Sequence, residues 1–335
     1  MSLRSDHAAY VVVGGGAIGL TIASHLVAAG RPVTIVDTDH DHVAHLSAHG
    51  AAIKTGDQWH GFDVDAVLPE EATETEFDRV YLAVKSQHVE AAASWLAPRM
   101  TDTGVVTLCQ NGDTWAAATS ALDHRLVVSA FVNFAADKIA PGRVVCGGHG
   151  DMAIGEYPCG ASERSRKLTR DLASLARDTE NVRGLLWSKR GFAAILAATS
   201  VIDDDIAATV DNHRAVLAET ASEVYAIATA CGVELEAFDA VDPEALTSTS
   251  DIERTRAFDA LVRWLRSMPK TRSGVFRDIA RRRKSEASYD LEELLVLSES
   301  YGLRCPRLGR LADLLAEITD GHREFSATNL VELSS

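Results

Sequence analysis

The stretch Tyr10-Val-Val-Val-Gly14-Gly-Gly16-Ala17-Ile18-Gly19-Leu20 decides the fold of the N-terminal half. Three β-branched residues just ahead of a glycine cluster read as a short buried strand. Gly14, Gly16 and Gly19 then follow with the spacing G-x-G-x-x-G. In that spacing the first glycine permits the tight turn out of the strand. The second lets the backbone approach a pyrophosphate, and the third lets a helix pack on the sheet. A helix opening at Ala17 and Ile18 turns its free N–H groups and positive dipole end toward phosphates. Gly30-Arg31-Pro32 ends that helix, and Val33 to Val36 is a second buried strand closed by Asp37. An acid there, about 20 residues past the glycines, is placed to accept hydrogen bonds from adenosine ribose hydroxyls. A bare G-x-G-x-x-G arises by chance, as a glycine turn in some other α/β domain. The strand before it, the helix after it and the closing acid favour dinucleotide binding.

The rest of the composition bounds the function. A chain of 335 residues with 46% hydrophobic residues can build two domains with real cores. The net charge of −15 argues against a nucleic-acid partner, which would require clustered Lys and Arg. The single basic run, Arg281-Arg282-Arg283-Lys284, reads as an exposed helix face or part of a subunit contact. Met1 to Ala9 is polar and Tyr10 to Val13 too short for a signal sequence, and no apolar stretch approaches membrane-spanning length. Cys109, Cys146, Cys159, Cys231 and Cys305 are scattered without C-x-x-C spacing, which fits free thiols in a reducing cytoplasm. His42, His45 and His49 fall at helical spacing, but without Cys or Glu beside them no metal site is expected. That helix is expected to turn its polar face to water.

Further along, Phe77 to Val84 is a buried strand with Lys85 at its carboxyl end, where open α/β sheets bind ligands. A helix over Val89 to Leu96 follows, then a strand over Gly104 to Cys109 that delivers Gln110-Asn111-Gly112 to the same rim. Arg125 to Phe131 is a further strand. Ala51 to Val67 reads as short strands and turns. Pro141 to Tyr157, with Gly142, Gly147, Gly148, Gly150 and Gly155, reads as a hairpin-rich edge closing the domain. Ser162 to Asp178 reads as an amphipathic helix, and beyond Trp187 everything reads helical. The expected fold is α/β: an N-terminal Rossmann-type, doubly wound parallel sheet over residues 1–183, with an all-helical domain over 184–335.

The order of these motifs resembles the ketopantoate reductase family. The motifs are the glycine loop, Val84-Lys85-Ser86, Leu108-Cys-Gln-Asn-Gly112, Trp187-Ser-Lys189, and Ser273-Gly-Val-Phe-Arg-Asp278 with Ser285-Glu286. The resemblance covers nearly the whole chain. It implies reduction of a 2-oxo acid to a 2-hydroxy acid with a nicotinamide cofactor. Lys189 would be the catalytic lysine and Glu286 a carboxylate near substrate and cofactor. Lys85 and Asn111 would line the cleft between domains, with Lys85, Gln110 and Asn111 contacting the cofactor and Asn111, Ala193, Ala197 and Ser273 at the substrate. Hydride delivery to a ketone leaves an alkoxide, and a lysine in an otherwise apolar helix can supply both a positive charge and a proton. Burial and neighbouring Arg190 are expected to favour the neutral amine. The resemblance also implies a homodimer formed through the helical half.

Three departures from the family pattern bear on specificity. Ala193 and Ala197 stand four and eight residues past Lys189, where the family presents substrate-binding asparagines. The paired serine motif is reduced to Ser273-Gly274. Losing these anchors should make the substrate site roomier and more apolar and cost ketopantoate recognition. Asp37-Thr38-Asp39 replaces the basic residue that would hold the 2′-phosphate of NADPH, so NAD(H) is expected over NADP(H). Two other functions stay open at this point. One is a C=N reductase of the opine type, with Asp203-Asp204-Asp205 recognising an amine. The other is a dinucleotide-binding homologue without turnover.

Overall fold

Strand β1 (Tyr10–Val13) is buried along its length and sends alternate side chains to opposite faces of the main sheet. Tyr10 and Val12 join one apolar cluster, Val11 and Val13 the other, which is what a parallel strand covered on both sides requires. The computed structural model describes residues 9–72, 76–147, 150–172, 175–268 and 271–333. Gly148 and the polar segment over residues 1–8 lie outside them. The chain divides into two compact units, Met1–Val182 and Arg183–Ser335.

In chain order the first unit contains β1, α1 (Ala17–Ala28), β2 (Val33–Val36), α2 (His40–His49), β3 (Ala51–Thr55), β4 (Gln58–Phe62), β5 (Asp65–Val67) and β6 (Phe77–Leu82). It continues with α3 (Val89–Leu96), β7 (Met100–Leu108), α4 (Trp115–Thr119), β8 (Val127–Val132), β9 (Ala136–Ala140), β10 (Arg143–Cys146), β11 (Met152–Gly155), α5 (Glu163–Asp171) and β12 (Ala176–Asp178). The main sheet has the order β12-β11-β8-β7-β6-β1-β2-β5. It is parallel from β8 to β5, with β11 antiparallel to β8. Residues of α1, α2 and α5 pack on one face and residues of α3 and α4 on the other.

Two segments differ from the sequence expectation. The glycine-rich region does not form one edge hairpin. β9 and β10 join β3 and β4 in a second sheet of order β4-β3-β10-β9, while β11 adds to the main sheet. Val144 of β10 and Ile53 of β3 enter the same apolar cluster as α1, so burial pulls that piece over the helix. The helix expected to reach Asp178 ends at Asp171, and Ala176–Asp178 pairs parallel with β11. Ala173 and Ser174 lie outside the described residues.

The second unit is helical, as expected. Helix α6 (Val182–Thr199) leads into α7 (Ile206–Asn212), α8 (Arg214–Ala230), α9 (Pro243–Leu246) and α10 (Asp251–Ser267). α11 (Gly274–Ile279), α12 (Glu286–Ser300), α13 (Pro306–Thr319) and α14 (Ala327–Glu332) complete it. The run Arg281–Lys284 is no helix face. It forms the turn between α11 and α12, where Arg282 has φ 57° and donates to the Ile318 carbonyl. Among the described residues no helix is long and apolar enough to cross a membrane.

Buried Asp171, at the end of α5, ties the first unit together. It accepts from the Tyr10 hydroxyl and pairs with Arg31 at 2.6 Å and with Arg79 at 3.6 Å. Removing one member of such a cluster strands the others in a low-dielectric site. Asp171→Ala is expected to lower stability by about 3 kcal/mol in urea unfolding; a loss under about 0.5 kcal/mol, the level of a surface change, would refute this role for the cluster.

Candidate functional site

In the first unit the carboxyl ends of β1, β2, β6 and β7 lie in one row, since Val13 pairs with Val36 and Leu82, and Leu82 with Leu108. β2 and β6 flank β1 on opposite sides, so the chain reverses its winding at β1, and a crevice opens beyond such an end. Gly14 leaves β1 with φ +101°, and a Cβ there would meet the Ala83 carbonyl at 2.9 Å. Gly19 lies so close to this turn that a Cβ would fall 1.9 Å from the Gly14 oxygen. At Gly16 the reverse holds: a Cβ would meet nothing within 4 Å, so the backbone faces open space. The first helical bond runs from Leu20 N–H to Gly16 C=O, leaving the amides of Ala17 and Ile18 without a helical acceptor. Open backbone, unpaired amides and a helix start fit the pyrophosphate of a dinucleotide.

Asp37 stands at the end of β2, one oxygen accepting from Gly15 N–H at 2.6 Å and the other from Asp39 N–H at 3.0 Å. The carboxylate is thereby fixed beside the glycine loop. Gln110 is buried and spends its amide inside the fold. It donates to the carbonyls of Leu82 at 2.6 Å and Val84 at 3.1 Å and accepts from Thr114. It braces the rim. Asn111 is exposed on the same loop, its carbonyl accepting from Ser86, and Asp113 beside it accepts from Tyr157. Lys85 is exposed ahead of Ser86. The polar face expected of α2 is only partly so. His42 is fully buried, within hydrogen-bond distance of the Gly15 carbonyl at 2.6 Å. Among the described residues no group of three or more His, Cys, Asp or Glu could hold a metal ion.

In the second unit the site is built on α6. Between Gly184 and Ser200 every residue is buried except Lys189, Ala193 and Leu196. These fall at i, i+4 and i+7, so they form one open stripe on a helix otherwise enclosed. Desolvation draws the Lys189 amine down to about 8, against the carboxylates of Glu286 and Asp239, which favour the ammonium form. Glu286 opens α12 behind the buried cap residue Ser285. Asp239 sits at φ 47° in the tight turn closed by Phe238 and Val241. Nothing in the sequence pointed to Asp239, because only the turn brings it toward α6.

Arg190 does not play the expected part. It is buried against the Trp187 ring, 4.6 Å from its centroid, and pairs with Asp290 at 2.7 Å and Glu293 at 3.3 Å. Ala197 is buried, leaving Ala193 on the open stripe. The Ser273 hydroxyl caps α11 by accepting from Phe276 N–H and lies 2.7 Å from Ser200 Oγ. Ser200 itself donates to the Leu196 carbonyl, so Ser273 supplies the proton of that pair and is committed within the fold. The acidic run is likewise structural: Asp203 pairs with Arg272 at 3.0 Å and Asp205 caps α7. No observation there favours an amine-bearing substrate.

Two family models match the chain, "Ketopantoate reductase PanE/ApbA" over residues 10–158 and its C-terminal part over residues 181–319. The chain belongs to the ketopantoate reductase family. Members are NAD(P)H-dependent oxidoreductases, and the chain takes that enzyme class with the family. No curated protein matches the sequence significantly. Among solved structures, a D-mandelate dehydrogenase in ternary complex with NADH and anilino(oxo)acetate is similar, with TM-score 0.77 and 17% identity, over 93% of this chain and 99% of that one. A ketopantoate reductase from Ralstonia eutropha JMP134 matches with TM-score 0.76 and 24% identity, over 93% and 99%. A 2-dehydropantoate 2-reductase from Methylococcus capsulatus matches with TM-score 0.74 and 20% identity, over 95% and 99%.

The packing behind Lys189 depends on Gly191, where a Cβ would lie 2.1 Å from the Tyr225 ring. The Tyr225 hydroxyl donates to the Ser188 carbonyl at 3.3 Å, one residue before the lysine. Gly191→Ala is expected to destabilise the protein by about 1–3 kcal/mol through this overpacking. An unchanged urea midpoint would show that the ring is not fixed there.

Proposed function

We propose that this enzyme reduces a 2-oxo acid bearing a bulky apolar group to the 2-hydroxy acid with NADH, and that Lys189 is the proton donor. The observation that carries the reading is the stripe on α6, an amine poised near neutrality at the head of an apolar strip. The bound nicotinamide supplies the hydride. The ammonium of Lys189 stabilises the charge that develops on the carbonyl oxygen and passes its proton to it. Glu286 and Asp239 keep enough of the amine protonated to act near neutral pH. Ala193 and Leu196 offer the substrate side chain apolar surface and no hydrogen bond. Ketopantoate, which carries a hydroxyl, suits that surface poorly. A D-mandelate dehydrogenase of the same fold is solved with NADH and anilino(oxo)acetate, which is compatible with this reading. Lys85 and Asn111 are proposed to contact cofactor and substrate from the exposed rim of the first unit.

Asp37 supports NADH over NADPH, because a carboxylate fixed beside the glycine loop repels a 2′-phosphate and suits two hydroxyls. The five free cysteines support a reducing, cytoplasmic setting. A homodimer formed through the helical unit is part of this reading, on the family's pattern.

Two measurements test this reading. Reductive kcat should fall as pH rises through about 8, where Lys189 loses its proton, and the oxidative rate should rise through the same range. Glu286→Gln should move both limbs to lower pH, and Lys189→Met should cut kcat/KM by about 10²–10⁴-fold. A profile flat between pH 6 and pH 10 by order of magnitude, or an active Lys189→Met enzyme, would overturn the proton-donor role. In the second, kcat/KM with NADH should exceed that with NADPH by roughly tenfold or more, with Asp37→Ser narrowing the gap. A preference for NADPH would contradict the assignment of Asp37.

A further inference from the structure

We infer that His42 is a positioning residue for the cofactor, aiming the Gly16 amide at the pyrophosphate by holding the Gly15 carbonyl. This rests on the proposed dinucleotide site. His42 Nε2 lies 2.6 Å from the Gly15 carbonyl, and Gly142 N–H points at its Nδ1 at 3.3 Å. The carbonyl can only accept and the amide can only donate. The ring therefore stands as the neutral tautomer, with Nε2–H donating to Gly15 and Nδ1 accepting from Gly142. The ring has no exposed surface, and its backbone N–H is bound by the cap residue Asp39 at 3.1 Å.

The consequence follows from the geometry of one peptide. The Gly15 carbonyl and the Gly16 N–H belong to the same planar trans unit and point in opposite directions. Pinning the oxygen inward on His42 turns the Gly16 N–H outward, on the residue whose Cβ would meet nothing within 4 Å. The preceding peptide is fixed from the other side, with Gly15 N–H on Asp37 at 2.6 Å. Gly14, Gly15 and Gly16 together would otherwise let these peptides flip at little cost, and a flipped unit would present a carbonyl oxygen to the phosphates. The same contacts explain the third glycine. A Cβ at Gly15 would lie 2.9 Å from Ile35, 3.0 Å from His42 Nε2 and 3.2 Å from the Asp37 carboxylate. Gly142 belongs to the β9–β10 turn, so the ring also fastens the second sheet to the loop.

The test measures NADH and ADP-ribose affinity by titration calorimetry, beside the melting temperature, for wild type, His42→Gln and His42→Asn. Glutamine reaches as far as Nε2 and can donate to Gly15. Asparagine reaches only as far as Nδ1, so it can keep Gly142 but not Gly15. Both are polar and smaller than histidine, so the comparison holds even if an apolar variant misfolds. We expect His42→Asn to bind both ligands roughly tenfold more weakly and His42→Gln to stay within about threefold of wild type. With NADH saturating, kcat should be preserved in both, leaving the change in the cofactor KM. Asparagine binding as tightly as wild type, or glutamine as weakly as asparagine, overturns the role of His42. Wild type binding neither ligand overturns the dinucleotide site itself, and this inference with it.

Discussion

An amine carried on a helix buried on every side but one must either lose charge or find carboxylates, and Lys189 does some of each. Desolvation pulls it down by more than two powers of ten in proton affinity, and Glu286 and Asp239 halt the fall at about 8. The rest of the helical unit serves this balance. Gly191 lets Tyr225 close over the helix, while Arg190 is drawn off to Trp187, Asp290 and Glu293. A second cation left beside the lysine would have depressed it further. Chemistry that needs a proton near neutral pH needs that arrangement.

The first unit solves a different problem, how to present backbone N–H groups without letting them turn. Three adjacent glycines give the close approach and remove the stiffness, and side chains from elsewhere restore it. Asp37 holds one peptide by its N–H and His42 holds the next by its oxygen. The Asp37 carboxylate thus braces the loop with one oxygen and its own following turn with the other. Gln110 does comparable work across the crevice, tying the loop after β7 to the end of β6.

Much of this was legible from residue order. Tyr10 to Val13 reads as a buried strand because β-branched residues occupy both faces, and β2, β6 and β7 lead into Asp37, Lys85 and Gln110 past their carboxyl ends. What escaped was whatever depends on long-range packing. The strand at Ala176–Asp178 looks helical in isolation and becomes a strand only because β11 offers it an edge. β10 leaves the glycine-rich region for a parallel pairing with β3, nearly a hundred residues earlier by order of magnitude. His42 reads with His45 and His49 as a solvated face, whereas in the fold it shares the inward row with Leu46, a phase set by Asp39 as cap. Ser273 and Gln110 read as ligand contacts in the sequence, and their hydrogen bonds within the fold carry no local signal there. Asp239 had no local signal at all.

The central claim is that Lys189 is a desolvated amine near neutrality, and direct titration tests it. Reductively methylated protein enriched in ¹³C would report each lysine by NMR, with Lys189→Arg assigning the resonance. The account predicts a midpoint at about 8 for Lys189; a midpoint at the ordinary lysine value of 10.5 would contradict it.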